Sequence, residues 1–264
     1  MAKYRYLYLV HIQYLGFRFH GWQKQKDVKT IHEMIDKTLW FVFGNDEFKT
    51  MGSSRTDAKV SVQHSVFELF LNKPLGFADF LEKFNSNLPA DIRAIKVEET
   101  NSGFNIIQSS KLKEYHYYFA SGAKAHPYSA AFVTTVPDRL DISLMQQGAA
   151  LFLGEHHFDK YCTQPRPGTE FIRNIEQSEV LENDVLTASF FPEETYVYKV
   201  SSKGFMRNQV RLMMGQLFEL GKGNTSLDGL QYSVSTVMDK KPLTVIAPAS
   251  GLHLIDIQFS DDTH

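Results

Sequence analysis

Hydrophobic and polar positions along the chain follow two periods. Residues 4–10 are rich in aromatic and aliphatic side chains with partial alternation, which predicts a strand. Thr30 and Glu33 form a capping box, and Ile31, Met34, Ile35, Leu39 and Val42 recur at helical spacing until Gly44 stops the helix. The apolar run 62–71 reads as a second strand, and residues 77–85 as a helix with Phe77, Phe80, Leu81 and Phe84 inward. Residues 88–93 lead into a third strand reaching about Val97, so the first hundred residues read β-α-β-α-β.

The second half opens with a strand at 110–119. Asp141 or Ser143 caps a helix running to Gly154, with Leu144, Met145, Ala149, Leu151 and Phe152 on its apolar side. Strand-like runs follow near 174–181, 185–191 and 196–201, then a helix over 206–220, another from Ser226, and a last strand over 252–259. Residues 163–169, with two prolines and a glycine, read as an exposed loop. The chain carries no low-complexity tract and no short repeat. Two α+β halves, 1–108 and 109–264, predict layered sheets with helices covering one face and the other face free to line a cleft.

Composition narrows the class. With 43% hydrophobic and 22% charged residues, the 264-residue chain is an ordinary soluble globular protein with ample core. The formal net charge of −2 gives no overall footprint for nucleic acid, so any RNA site must be a local basic cluster. The single cysteine, Cys162, excludes an intrachain disulfide framework and fits a reducing compartment. No uncharged apolar run reaches the roughly 18 residues of a membrane span. The N-terminus lacks the layout of a signal peptide, and a cytoplasmic location is expected.

Several stretches carry candidate chemistry. Arg55 and Asp57 sit two residues apart at the mouth of the 62–71 strand, as a solvated turn or as a carboxylate placed in a cleft beside a fixed charge. The segment 14–25 is punctuated by glycines and carries aromatics, amides and cations. It suits either a surface loop with a hydrophobic anchor or an RNA-facing loop, where aromatics stack on bases and cations meet phosphates. Tyr115 reads from its surroundings as a half-buried strand tyrosine. Arg207 and Arg211 are four residues apart within the expected 206–220 helix and so share one face, with Lys203 just outside: a solvated face or a basic patch. Gly154-Glu155-His156-His157-Phe158-Asp159 offers two imidazoles and two carboxylates, but adjacent histidines point apart and no further ligand pair is suitably spaced, so the segment reads as structural. Gly221-Lys222-Gly223 lacks the phosphate-loop pattern, and no Ser-His-Asp arrangement is visible.

Residue strings in five places resemble the TruA family of tRNA pseudouridine synthases. Arg55-Thr56-Asp57-Ala58 is similar to its catalytic signature, and residues 14–25 to its opening Y-D-G-x-x-F-x-G-W-Q-x-Q, with Leu15 where that pattern has Asp. Lys113-Glu114-Tyr115-His116-Tyr117 resembles its basic-x-Tyr-x-Tyr strand. Residues 204–215 resemble G-F-L-x-x-x-V-R-x-x-x-G, and residues 247–254 match A-P-x-x-G-L-x-L. The blocks span the chain. The resemblance implies two ferredoxin-like, RNP-like halves whose antiparallel sheets join, with helices on one face, a central active-site cleft and a homodimer. It implies Asp57 as the catalytic carboxylate, Tyr115 as the active-site tyrosine and Arg211 as the partner of the aspartate. Phe205 and Met206 would shape the base pocket, and Arg55, Gln23, Lys24, Lys113, Lys203 and Arg207 would meet the RNA.

The implied reaction converts uridine to pseudouridine at positions 38, 39 or 40 of the tRNA anticodon stem-loop, without cofactor or metal. The chain departs from G-R-T-D-A-G-V-H-A at Ser54, Lys59, Ser61 and Val62, and from F-H-A-R-F at 104–108, where Ile107 stands at the arginine. Those departures keep two alternatives in view, a shifted RNA target and a catalytically silent RNA-binding module. The retained Asp57, Tyr115 and Arg211 argue against silence.

Overall fold

In the computed structural model, which describes residues 4–235 and 243–259, the chain forms two units. One contains the residues up to Lys111 and those from Leu254 onward; the other is Leu112–His253.

The first unit begins with β1 (Tyr6–Tyr14) and α1 (Ile31–Phe43). Thr30 accepts from the Glu33 backbone N–H at 3.4 Å, and Gly44 ends the helix at φ 70°. Ile31, Ile35 and Leu39 are fully buried, as their spacing predicts. A short β2 (Phe48–Gly52) follows, then β3 (Ser61–Leu71), α2 (Phe77–Asn87) and β4 (Ile92–Thr100). β1 lies between β3 and β4, antiparallel to both, and β2 pairs antiparallel with the far end of β3, from Phe48↔Leu71 to Gly52↔Phe67.

Alternation divides the two faces of this sheet. Tyr8 and Phe67 face α2, where Phe84 packs edge-on against Phe67 at 6.4 Å and Phe77 edge-on against Tyr8 at 5.7 Å. Phe80 and Phe84 are buried as expected, whereas Phe77 remains partly exposed. Leu9 and Val66 point the other way, into a cluster with Phe104, Ile106, Met51 and Phe259. That face is therefore partly covered by the turn around 101–109.

The second unit is built from β5 (Ser110–Ser121), β6 (Thr134–Val136), α3 (Ile142–Ala150), β7 (Gly154–His157), β8 (Ile172–Glu182), β9 (Tyr196–Ser202), α4 (Gln209–Gly221) and α5 (Leu227–Ser235). The final strand, β10 (Leu252–Phe259), passes at Leu254 into the first unit, where it neighbours β3. The antiparallel order is β5-β9-β8-β7, with β6 parallel to the end of β5. Asp141, not Ser143, caps α3, accepting from the Leu144 N–H at 2.9 Å, and the helix ends at Ala150 rather than running to Gly154. Tyr117 and Phe119 pack edge-on against Phe218 of α4, at 5.9 and 5.4 Å. On the opposite face Tyr118, Ala120, Val133 and Val197 form a core with Phe132, Leu181, Leu186 and Phe191.

The α+β class and the mainly antiparallel pairing expected from sequence are observed, but the strand expected at 185–191 is not. The Asn183 side chain accepts from the Val185 and Leu186 N–H groups at 3.3 and 3.1 Å, and donates to Leu186 O at 2.7 Å. This folds the segment into a turn, and its apolar residues cover the sheet instead of extending it. Among the described residues, no helix is long and apolar enough to cross a membrane.

Candidate active site

In the first unit Asp57 lies on the loop between β2 and β3, half-buried, with Arg55 exposed beside it. The loop is bolted on both sides of Asp57 to the segment that follows β1. The Trp22 N–H donates to Thr56 O at 3.1 Å, and the Tyr14 and Thr56 hydroxyls are 2.8 Å apart. Beyond Asp57, the Lys59 N–H donates to Phe19 O at 3.0 Å and the Gly16 N–H to Ser61 Oγ at 3.0 Å. The Val60 N–H reaches back to Asp57 O at 3.3 Å and closes the turn.

This approach requires two of the glycines. A Cβ on Gly16 would lie 1.9 Å from Val60 O, and one on Gly21, at φ 86°, would lie 2.5 Å from Thr56 O. Phe19 and Trp22 are buried, and Trp22 stacks on His32 at 5.4 Å. The glycine-punctuated segment, left open by its composition, is thus an anchored buttress for the aspartate loop, and Phe17, Arg18, His20, Gln23, Lys24 and Gln25 form its exposed side. Arg18 forms a two-pronged pair with Asp91. The Lys24 ammonium pairs with Asp36, which also accepts from the Thr50 hydroxyl at 2.6 Å. Lys59 occupies a left-handed conformation, φ 69°, at the place where the TruA pattern has glycine, and its ammonium lies 5.8 Å from the Phe17 ring centre.

In the second unit Tyr115 stands on β5 opposite Val200 of β9, and its ring meets Phe205 edge-to-face at 5.4 Å and 87°. The residue is 8% exposed and thus buried. Lys113, opposite Ser202, is half-buried, and desolvation lowers its ammonium below the ordinary lysine range. After β9, Lys203 is exposed, Phe205 half-buried and Met206 buried.

The arginine pair expected on one helical face is not there. Asn208 sits at φ 61°, ψ 8°, so α4 starts at Gln209 and not at Met206. Arg207 therefore precedes the helix and donates to Gln164 Oε1 at 2.6 Å. Arg211, in the first turn, is half-buried; its Nε donates to Ala247 O at 2.8 Å and its Nη1 to Asn208 Oδ1 at 3.0 Å. Lys203 and Arg207 remain an exposed basic pair, whereas Arg211 is held from two directions.

The closing segment supplies one of those holds. The Ala247 N–H donates to Arg211 O at 3.0 Å, and the Tyr117 hydroxyl reaches Pro248 O at 2.8 Å. A Cβ on Gly251 would lie 2.6 Å from Thr134 Oγ1 and 2.7 Å from Tyr118 O. In the two-histidine segment, His156 Nε2 donates to Leu153 O at 2.7 Å and His157 Nδ1 lies 3.3 Å from Asp159. Among the described residues, no group of three or more His, Cys, Asp or Glu is arranged to hold a metal ion. Asn208 lies inside the helical pattern that sequence predicts from 206; the tolerance of asparagine for the left-handed region is the available signal.

Residues 149–260 match the family model described as tRNA pseudouridine synthase. The tRNA pseudouridine synthase A of Thermodesulfovibrio yellowstonii is 32% identical over 253 residues, covering 92% of this chain and 95% of the relative. That of Exiguobacterium sibiricum is 28% identical over 250 residues, 95% of each chain. That of Staphylococcus aureus is 28% identical over 256 residues, 96% of this chain and 92% of its own.

Proposed function

The chain belongs to the tRNA pseudouridine synthase family and is an isomerase that acts on tRNA, and we propose that it uses Asp57 to convert uridines 38, 39 or 40 of the anticodon stem-loop. Uridine becomes pseudouridine when the bond from N1 to C1′ breaks, the uracil turns, and C5 bonds to C1′. The C5 proton leaves, N1 gains a proton, and no group or net electron is imported. The step needs an ionised carboxylate at the sugar or base, acting as nucleophile at C1′ or as the base that starts a glycal route; Asp57 serves either.

The observation that carries this reading is the buttress around Asp57. Backbone bonds at Thr56, Lys59 and Val60 fix one half-buried carboxylate on a loop that Gly16 and Gly21 approach too closely for any side chain. A reacting group held in one geometry is worth far more than a mobile one. Tyr115, whose ring meets Phe205 edge-to-face, supplies a ring to stack on a base drawn out of its helix and a hydroxyl to move the C5 proton. Arg211 is the fixed positive charge of the reaction, and Lys203, Arg207, Arg55, Lys113, Gln23 and Lys24 meet the RNA. The resemblance also supports a cytoplasmic homodimer.

Incubating the protein with tRNA transcripts and mapping pseudouridine by position tests the reading. Product at 38, 39 or 40 supports it. Product only elsewhere transfers the enzyme to another RNA target, and tight binding without product makes it a silent binding module.

A further inference from the structure

An asparagine at the position before a helix ordinarily accepts a hydrogen bond from a first-turn N–H. Asn208 does not. Its side chain makes no capping bond, and its backbone takes the left-handed conformation, which asparagine tolerates better than most side chains. Both ends of its amide are committed elsewhere. Oδ1 accepts from Arg211 Nη1 at 3.0 Å, and Nδ2 donates to Thr163 Oγ1 at 2.7 Å. The orientation of the amide follows from its partners, since a guanidinium can only donate and must face the oxygen.

The rest of the turn supports this arrangement. The Gln209 side chain, not Asn208, reaches back to accept from the Met206 N–H at 2.9 Å. Thr163 is itself tied down, its N–H donating to Arg207 O at 3.2 Å, and the neighbouring Gln164 receives the Arg207 guanidinium. With Ala247 O accepting from Nε, Arg211 is gripped at two different nitrogens, which fixes the plane of the guanidinium as well as its direction. A helix-start asparagine that forgoes its ordinary capping bond and spends its amide on Arg211 and Thr163 marks a site where something other than helix stability decides the residue.

We propose that Asn208 is a positioning residue for the isomerisation. Through Oδ1 it sets the direction of the Arg211 guanidinium, and Thr163 fixes Asn208 in turn. The inference rests on the reading of Arg211 as the reaction's fixed charge. A preorganised charge stabilises a transition state without having to be gathered at the moment of reaction, and an arginine loose on its three-methylene stem does so poorly. The loop at 163–169, expected from sequence to be only an exposed connection, thereby acquires a part in the chemistry.

The test uses Asn208→Gly, Thr163→Val and Arg211→Lys in the full chain, measured as single-turnover rate on a tRNA transcript, tRNA affinity and thermal midpoint. Glycine accepts φ 61° without strain, so Asn208→Gly removes both side-chain bonds and keeps the turn. We expect its single-turnover rate to fall about tenfold or more with affinity unchanged within about twofold, because displacement of a reacting geometry alone has effects of this size. Thr163→Val should fall in the same direction by less. In the Arg211→Lys background, Asn208→Gly should have no further effect, the non-additivity expected of residues acting through one another. A merely structural asparagine would instead lower the midpoint and leave the rate of the folded enzyme alone. A wild-type rate for Asn208→Gly beside an impaired Arg211→Lys overturns the inference and spares the reading of Arg211. A wild-type rate for Arg211→Lys overturns both.

Discussion

His11 Nδ1 lies 2.7 Å from His64 Nε2, and the outer nitrogen of each ring faces a carboxylate: His11 Nε2 to Glu98 at 2.9 Å, His64 Nδ1 to Asp256 at 2.5 Å. The chain of four side chains crosses β4, β1, β3 and β10 in the first unit. Both carboxylates accept only, so the outer nitrogen of each ring donates to its carboxylate. Burial lowers the pKa of His11, against the pull of Glu98, while Lys96 also faces Glu98 at 2.8 Å. Hydrogen bonding from His64 lowers Asp256, against desolvation. Both shifts have the same sign for stability. A histidine lowered from 6.5 and an aspartate lowered from 3.8 each leave the folded protein binding fewer protons than the unfolded one, so stability falls as pH drops below 6.5 and again below 3.8. His64→Ala should lower stability at pH 7.5 by about 1–3 kcal/mol, the usual effect of leaving buried hydrogen-bonding partners unmatched. Thermal unfolding measures this, and an unchanged midpoint would remove the chain of four from the account of stability.

Glu68 has the opposite sign. It is buried on β3 between Leu9 of β1 and Met51 of β2, and desolvation, opposed by Lys49, pushes its carboxyl up to about 7. The folded form keeps a proton that the unfolded form releases, so this group lowers stability as pH rises from 4.5 through about 7. The difference reaches roughly 3 kcal/mol above that window, at 1.36 kcal/mol per unit. Glu68→Gln should flatten the decline between pH 5 and 8 in denaturant unfolding; an identical pH slope in the variant would place the titration elsewhere.

Gly21 and Lys59 should respond in opposite directions. Gly21→Ala forces a Cβ against Thr56 O at a positive φ, so it should displace the Asp57 loop and reduce turnover strongly. Lys59→Gly relieves the left-handed backbone and should stabilise the protein by about 0.5–1 kcal/mol. It also removes a cation from beside Phe17, so tRNA affinity should weaken while the rate of bound complex stays the same. A destabilised Lys59→Gly, or a fully active Gly21→Ala, would contradict the geometry of the loop.

The legible parts of this fold were those where burial is periodic. Ile31, Ile35 and Leu39 show their helix by spacing, and Thr30 and Gly44 its ends. β2, β6 and β7 are five, three and four residues long, too short for alternation to register. The turn at 185–191 looks like a strand in sequence because Leu186 and Phe191 pack on the sheet, while the Asn183 side chain decides its backbone. Asp57 stands out in sequence as a candidate through a resemblance of letters. Its buttress does not, because the bonds from Trp22, Lys59 and Val60 are backbone bonds that leave no mark on a side-chain pattern. One left-handed residue, Asn208, moved the start of α4 and separated Arg207 from Arg211.

Asp57→Asn is nearly isosteric and cannot act as nucleophile or base, so it should eliminate turnover while tRNA still binds. The loop bonds at Thr56 and Val60 are made by backbone and hydroxyl groups and survive the substitution. Comparable single-turnover rates for the variant and the wild type would take Asp57 out of the mechanism.

Tyr115 is assigned two jobs, and they separate. Stacking needs the ring, which Phe205 braces at 5.4 Å; moving the C5 proton needs the hydroxyl. Tyr115→Phe should keep most tRNA affinity, yet lose product formation by about 10²-fold or more if the hydroxyl is a general base, the usual size of that contribution. Tyr115→Ala should lose turnover and also weaken binding by about 1–3 kcal/mol, the worth of one base–aromatic stack. A strand tyrosine that merely packs in the sheet predicts a Phe variant silent in both assays. Single-turnover rate and tRNA affinity for the two variants therefore decide between the jobs: a fully active Tyr115→Phe removes the hydroxyl from the mechanism, and a fully active Tyr115→Ala leaves the ring as scaffold for Phe205.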